Sequence, residues 1–450
     1  MKIPSHPRLK LSEAGLRGVV GETLTPPLTA GVAAAFASLM PPGALALGRD
    51  TRLSSPMLLD LVASAIRSVG HDVIDLGICP VLTIEYFVRT KGLSGGIDVT
   101  ASHNPQQWNA LKFIGKGGYF LDKQEALEIR DRLEEGVKWN SFDTLGSRTF
   151  DDTAADLHIN RILEAVDADL IRSKNFTVAI DCVNGSASAM THKLSEKLGC
   201  KVVSINTEFD AGFPHPPEPK PENLKDLIKL AGESGADIGF AQDPDADRLA
   251  CIADKGIPLS EEYTFVLATE HVLSHKPGRA VVGNLSGSRM LEDVAKKYGS
   301  DCYRTIIGEI NVSKKLREVK GAIGGEGNGG VMIPEIHEGR DSFTGMALLL
   351  EMMAERNEPI SAIVDSIPKY SMLKFQQEIE PERIADSVGA FESAFDNDAE
   401  IDRQDGLKLS WPDRWIHVRG SNTEPIIRVM LEAPTPADAE ELMAKAKALL

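Results

Sequence analysis

Apolar runs of four to six residues alternate with longer amphipathic stretches along the first half of this chain, and each run ends in a polar or glycine-rich turn. Residues 25–40 predict a helix, with Thr25 placed as N-cap, Pro26 at the first helical position and an alanine-rich body. Residues 44–47 predict a strand that ends in Gly48-Arg49-Asp50-Thr51-Arg52. Ser55 is placed to cap the next helix, with Pro56 in its first turn and Leu58, Leu59, Val62 and Ile66 on one face. A strand over 73–76, a short helix over 83–91 and a strand over 95–99 follow, the last ending in Thr100-Ala101-Ser102-His103-Asn104-Pro105. Strands and helices alternating at this spacing imply βαβ units and a mainly parallel sheet.

The pattern restarts twice. Strands are expected over 176–181, 201–205 and 236–240, with helices ending near 198 and covering 224–232. A loop with five prolines over 213–221 reads as ordinary surface. The third round has strands over 279–283, 301–307 and 321–324. From about 369 the spacing changes: strands over 369–378, 406–411, 415–418 and 426–432, a helix over 381–395, and a final helix over 436–449 capped by Thr435. The fold class is therefore α/β: three consecutive βαβ-type domains with mixed, mainly parallel sheets, then a C-terminal α+β domain. The boundaries fall at 1–150, 151–255, 256–368 and 369–450.

Composition narrows the function. The chain has 450 residues, 42% apolar and 26% charged, as in ordinary globular proteins. A formal net charge of −17 argues against nucleic-acid binding, which needs a basic face. An anionic small molecule would need positive charge gathered locally. The five cysteines, Cys79, Cys182, Cys200, Cys251 and Cys302, are scattered and form no CxxC pair, so they are expected to be reduced. Residues 1–10 have no apolar core of a signal peptide, and the apolar run over 344–353 is too short for a membrane span. A cytoplasmic protein is expected.

The turns carry the candidate chemistry. Ser102 has two readings, a turn former or the bearer of a phosphoryl group. Asp243-Pro244-Asp245-Ala246-Asp247-Arg248 lies between two apolar runs, and its three carboxylates suit a hard cation such as Mg²⁺ or Ca²⁺. It is no EF-hand loop, because Arg248 and Asp254 stand where that loop needs Gly and Glu. Residues 324–330 hold five glycines around Glu326 and Asn328, a carboxylate and an amide that suit sugar hydroxyls. Arg419-Gly420-Ser421-Asn422-Thr423-Glu424-Pro425, with Arg428 beyond, is locally positive and rich in donors, as an anion-binding turn requires.

These four turns, in this order, resemble the α-D-phosphohexomutase family of phosphoglucomutases, phosphomannomutases and phosphoglucosamine mutases. The resemblance spans nearly the whole chain and includes Leu16-Arg17-Gly18 and the segment from Gly48 to Arg52. It implies that Ser102 carries the phosphoryl group and that Asp243, Asp245 and Asp247 hold Mg²⁺ together with the Ser102 phosphate. Arg17, His103, Lys112 and Arg248 would surround the transferring group, with Lys112 or His103 moving the proton. Glu326 and Asn328 would hold sugar hydroxyls; Arg419, Ser421, Asn422, Thr423 and Arg428 would grip the other phosphate. The implied reaction interconverts hexose 6- and 1-phosphates through a sugar 1,6-bisphosphate that turns around in a central cleft, with the tail domain moving to close it. The partner is a small hexose phosphate, with neither nucleic acid nor membrane, and the protein is a monomer or a homodimer.

Many bacterial members have Gly-Glu-x-Ser-Gly-His in the sugar turn; here Asn328 is followed by Gly329 and Gly330, and Pro244 stands where glycine is frequent. The reading leans towards phosphoglucosamine mutase, with phosphomannomutase/phosphoglucomutase the alternative. A non-catalytic sugar-phosphate binder is the rival from another class, disfavoured because the serine and all three aspartates are present. A Mg²⁺-dependent phosphatase with an aspartate nucleophile is a second rival.

Overall fold

The structure is a computed structural model that describes residues 1–209, 211–395, 398–420 and 426–450. It divides into two compact units, one of residues 1–264 with 328–362, the other of 265–327 with 363–450.

The first unit holds a seven-stranded sheet in the order Leu9–Ser12, Gly15–Val19, Trp108–Ile114, Gly95–Val99, Ala44–Arg49, Asp72–Ile78, Arg148–Phe150. The last four strands run parallel. Trp108–Ile114 instead returns antiparallel to Gly95–Val99, placing Lys112 opposite Asp98 and Leu111 opposite Val99. The serine turn therefore joins two neighbouring antiparallel strands, and a side chain from each can meet just beyond the sheet. The helices Pro26–Leu39 and Ser55–Ser68 pack through Leu28, Val32, Phe36, Leu58, Val62 and Ile66 against Leu45, Leu47, Ile97 and Phe113 of the sheet. Two expected caps do not form. Thr25 makes no side-chain cap, and Ser55 is already the first helical residue, its Oγ donating to Asp50 Oδ1 at 2.6 Å.

The second sheet of this unit runs Ile257–Pro258, Leu249–Ala253, Ile238–Gln242, Thr177–Asp181, Lys201–Ile205. Ile238–Gln242 and Leu249–Ala253 form an antiparallel pair with Gln242 opposite Leu249, so the aspartate turn is also a hairpin connection. The long apolar run belongs to the helix Ser342–Arg356, buried over nearly its whole length. Among the described residues no helix is long and apolar enough to cross a membrane.

The second unit contains three parallel strands, Cys302–Thr305, Val281–Asn284 and Ile323–Glu326. Its other sheet is antiparallel, in the order Ser371–Glu378, Ile426–Ala433, Trp415–Gly420, Leu407–Ser410, Glu400–Asp402. The helices Ile384–Phe395 and Pro436–Lys447 cover that sheet through Phe391, Ala439, Leu442 and Met443. Thr435 caps the last helix, accepting from Asp438 N at 3.2 Å. All five cysteines are free, and four of them are buried.

Candidate active site

The serine turn is held from behind by one arginine. Arg52 is fully buried and uses all five of its N–H donors. Its Nε donates to Asp50 Oδ2 at 2.9 Å, and its terminal nitrogens donate to the carbonyls of Ser102 (2.5 Å), Asn104 (2.7 Å), Pro105 (2.7 Å) and Trp108 (3.1 Å). Asp50 in turn accepts from Thr100 Oγ1 at 2.8 Å, and Thr100 Oγ1 accepts from Ser102 N at 3.0 Å. This clamp holds Ser102 at φ 50°, a left-handed conformation uncommon for a side chain with a Cβ. The segment from Gly48 to Arg52, a secondary cue in the sequence, is the support of the serine turn.

Ser102 faces the aspartate turn. Its Oγ donates to Asp243 Oδ2 at 2.8 Å and lies 3.3 Å from His103 Nδ1. Asp243, Asp245 and Asp247 are all buried, and each offers a carboxylate oxygen within 4.8 Å of the others. The turn keeps this crowded geometry because its backbone is anchored. Ala246 adopts φ 62°, Ala246 N donates to Asp243 O at 3.0 Å, Ser186 Oγ donates to Pro244 O at 2.9 Å, and Ser342 Oγ donates to Ala246 O at 2.6 Å.

Cations from separate elements balance the carboxylates. Lys112 Nζ sits 2.6 Å from Asp245 Oδ2 and 3.5 Å from Asp247 Oδ2. The Arg248 side chain lies 3.8 Å from Asp247 and 3.9 Å from Asp243, and its backbone N donates to Asp243 Oδ1 at 3.1 Å. Arg340 donates to Asp247 Oδ2. Arg17 reaches Asn104 Oδ1 at 2.5 Å.

The ionisation of the groups follows from this arrangement. Burial, then repulsion from Asp245 and Asp247, pushes the Asp243 carboxyl well up. Burial also opposes ionisation of Asp247, but Arg340, Lys112 and Arg248 outweigh it and hold that carboxyl below the usual range. Burial disfavours a charged Lys112, yet Asp245 and Asp247 outweigh it and hold the ammonium above the ordinary lysine range. Burial, then Arg248 and Arg17, pushes the His103 imidazole well down. Asp98, opposite Lys112, has both carboxylate oxygens buried without a hydrogen-bond partner, and burial pushes it well up.

A divalent cation fits here. Asp245 Oδ1 and Asp247 Oδ1 are buried oxygens with no hydrogen-bond partner, and three clustered carboxylates form the hard donor set Mg²⁺ prefers.

The proline-rich loop is more than the surface loop expected. Glu218 accepts from Arg248 at 3.0 Å, the Phe213 ring lies 4.9 Å from the Arg52 guanidinium, and His215 pairs with Asp181 at 3.1 Å. These residues, with Arg52 and Arg340, are absent from the set expected from sequence. Arg52 was visible in its motif, whereas Glu218 and Arg340 carry no local signal, because their partners are distant in the chain.

Thus Ser102, His103, Lys112, Arg17, Arg248 and the three aspartates come together in the first unit. Asn328, in the same unit, turns its Oδ1 back to accept from Gly330 N at 3.2 Å. In the second unit Glu326 is buried, and its Oε1 accepts from Asn284 Nδ2 at 2.9 Å and Gly308 N at 3.0 Å. Arg419 and Arg428 stand opposite one another on adjacent strands, a pairing of like charges that favours an anion between them. Burial lowers the Arg419 pKa, Asp405 opposes that, and Arg428 adds to it. Ser421, Asn422 and Thr423 lie outside the described residues.

A strained serine against clustered carboxylates and ringed by cations, on a multi-sheet α/β fold, is the arrangement of a phosphoryl-transfer enzyme. Four family descriptions match the chain in order: phosphoglucomutase/phosphomannomutase alpha/beta/alpha domain I over residues 8–138, domain II over 156–256, domain III over 260–370, and the C-terminal domain over 375–449. The chain belongs to the phosphoglucomutase/phosphomannomutase family. It is 35% identical over 439 residues to a phosphoglucomutase/phosphomannomutase of Thermococcus kodakarensis, covering 95% of each chain. It is 33% identical over 435 residues to a protein of Methanopyrus kandleri named "Probable phosphoglucosamine mutase", again covering 95% of each. The crystal structure of a family protein from Burkholderia thailandensis is similar at a TM-score of 0.85 and 28% identity, covering 98% of both chains.

Proposed function

We propose that this chain interconverts hexose 6-phosphate and hexose 1-phosphate, with glucosamine phosphates the favoured substrates and mannose or glucose phosphates the alternative. The observation that carries the reading is Ser102 Oγ at 2.8 Å from Asp243 within the buried triad. Ser102 carries the phosphoryl group and passes it to a sugar monophosphate; the resulting 1,6-bisphosphate turns around and returns its other phosphate to Ser102. Asp243, Asp245 and Asp247, with the phosphate of Ser102, would hold Mg²⁺, which supplies positive charge against the phosphoryl oxygens. Arg17, Lys112 and Arg248 add further positive charge, since such transfers rest on positioning and charge neutralisation. His103 and Lys112 are the candidates for moving the sugar hydroxyl's proton. Glu326 and Asn328 recognise sugar hydroxyls, and Arg419, Ser421, Asn422, Thr423 and Arg428 take the second phosphate. The reading keeps four domains, 1–150, 151–255, 256–368 and 369–450.

The test is an intact-mass measurement before and after incubation with a sugar 1,6-bisphosphate, paired with a coupled assay. Wild type should carry one phosphoryl group and convert glucosamine 6-phosphate fastest; Ser102→Ala should do neither. Activity retained in Ser102→Ala would refute the phosphoserine cycle and favour a phosphatase with a carboxylate nucleophile.

A further inference from the structure

Gly330 makes room for Arg340. A Cβ built at Gly330 would lie 2.3 Å from Arg340 Cδ, 2.7 Å from Cγ and 3.1 Å from Cβ. Gly330 is not among the glycines with positive φ, so the space, and not the backbone angle, requires the glycine. Through that space the Arg340 side chain reaches Asp247, with 12% of its surface exposed.

The loop that presents Arg340 is pinned at several points. Asp341 N donates to Val331 O at 2.7 Å, and Gly339 N donates to His337 Nδ1 at 2.9 Å. Tyr119 OH donates to Glu338 at 2.7 Å. The Asp341 side chain caps the helix Ser342–Arg356 through Phe343 N at 3.0 Å and meets His158 Nε2 at 3.1 Å. A guanidinium held this firmly at a buried acidic cluster is preorganised. Asp247 is also approached by Lys112 at 3.5 Å and Arg248 at 3.8 Å, so it would keep cationic neighbours while Arg340 shared its donors with a second anion. Cations gathered from several elements at one turn suit an incoming dianion.

We propose that Arg340 is a catalytic residue of this site: its guanidinium bridges Asp247 and the oxygens of the phosphoryl group carried by Ser102. The inference rests on the mutase reading above. In the transfer, the bond from Ser102 Oγ to phosphorus breaks and a bond from the sugar hydroxyl oxygen to phosphorus forms. The hydroxyl proton passes to the base, and Arg340 donates hydrogen bonds throughout without gaining or losing a proton. A guanidinium fork suits this role because it binds phosphoryl oxygens in pairs.

The experiment compares wild type, Arg340→Gln, Arg340→Ala, Gly330→Ala and the Gly330→Ala/Arg340→Ala pair in the coupled assay, with thermal melts alongside. Arg340→Gln should lower kcat roughly 10²–10³-fold, the cost typical of losing one oxyanion donor, with KM moved far less. Added guanidinium should restore part of the Arg340→Ala rate, which a purely structural role would not allow. Gly330→Ala, which changes no charge, should lose rate in the same direction, and should cost far less once Arg340 is alanine, which keeps only the Cβ contact at 3.1 Å. Should the Arg340 variants fail to fold, the Gly330→Ala rate and its KM decide the matter. An inactive wild type would defeat the mutase reading itself. An active wild type with Arg340→Gln within about threefold of it, or loss without guanidinium rescue, or independent costs in the double variant, would overturn this inference alone.

Discussion

Replacing Arg52 with lysine preserves the charge and removes the fork, and the structure gives the size of the effect. Arg52 serves five acceptors: one Asp50 oxygen and the carbonyls of Ser102, Asn104, Pro105 and Trp108. An ammonium has three donors, so at best two of those five bonds are lost. Each bond lost from a charged donor costs about 1–3 kcal/mol, or roughly 2–6 kcal/mol for the closed turn. The turn has an escape, which is to open and let water reach the carbonyls; the left-handed Ser102 then relaxes and its bond to Asp243 is lost. Even the lower bound multiplies the open population about thirtyfold. Hydrogen–deuterium exchange with mass analysis reads this directly, because Ser102 N, Asn104 N and Trp108 N are all bonded within the turn. Peptides covering 100–109 should exchange at least about tenfold faster in Arg52→Lys. Peptides from the antiparallel sheet of the second unit should be unchanged. Mutase activity should fall with the exchange protection. Unchanged exchange over 100–109, with full activity, would refute the view that this arginine holds the serine turn. Arg52→Met goes further, stranding a buried carboxylate at Asp50, and should cost about 3–5 kcal/mol.

Three further outcomes are expected. Gly15→Ala places a methyl group 2.0 Å from Leu111 O at φ 101°, so the urea midpoint should drop by the equivalent of at least about 1–3 kcal/mol. His417 is buried between Ser286 Oγ (2.8 Å) and Asp405 O (2.6 Å), and burial lowers its pKa from 6.5 to about 4. Between those values the unfolded chain binds the extra proton, so stability falls as pH drops from 6.5 towards 4, by about 3 kcal/mol. His417→Gln should flatten that part of the pH–melting profile, and an unchanged slope would count against it. Mg²⁺ at a hundred times its Kd should stabilise the wild type by about 2.7 kcal/mol in thermal melts, and Asp245→Asn should abolish the shift; a wild type indifferent to Mg²⁺ would remove the triad as a cation site.

Much of the fold was legible because its strands are short, apolar and bounded by polar turns; residues 95–99 and 201–205 were placed as the structure has them. The antiparallel return of Trp108–Ile114 was not, since periodicity reports which residues alternate and says nothing of strand direction. The expected cap at Ser55 failed for a related reason: Ser55 Oγ is taken by Asp50, a partner that tertiary structure supplies. The same division applies to the site. Ser102 and the aspartates could be found because each turn concentrates its chemistry within six residues. Arg340 and Glu218 could not, because each acts on a residue far along the chain, Asp247 and Arg248 respectively.

That division has a physical consequence for a chain with a net charge of −17. Three buried carboxylates cannot share a volume 4.8 Å across without compensation. The compensation here is not local: Lys112 comes from a strand of the first sheet and Arg340 from the loop before a buried helix, while Arg248, from the aspartate turn itself, is also engaged by Glu218 of the proline-rich loop. Lys112 therefore meets the triad only when the two sheets of the first unit are assembled, and burying the carboxylates without it would leave charge less well paired. The arrangement also prepares the site for an anion. Lys112, Arg248 and Arg340 offset the aspartates, and Asp243 of the same cluster lies 2.8 Å from Ser102 Oγ, so these cations stand near the place where the proposed phosphoryl group would sit. On the proposed cycle, charge that stabilises the aspartate turn is thus also the charge that would make a phosphorylated Ser102 tolerable inside an acidic protein.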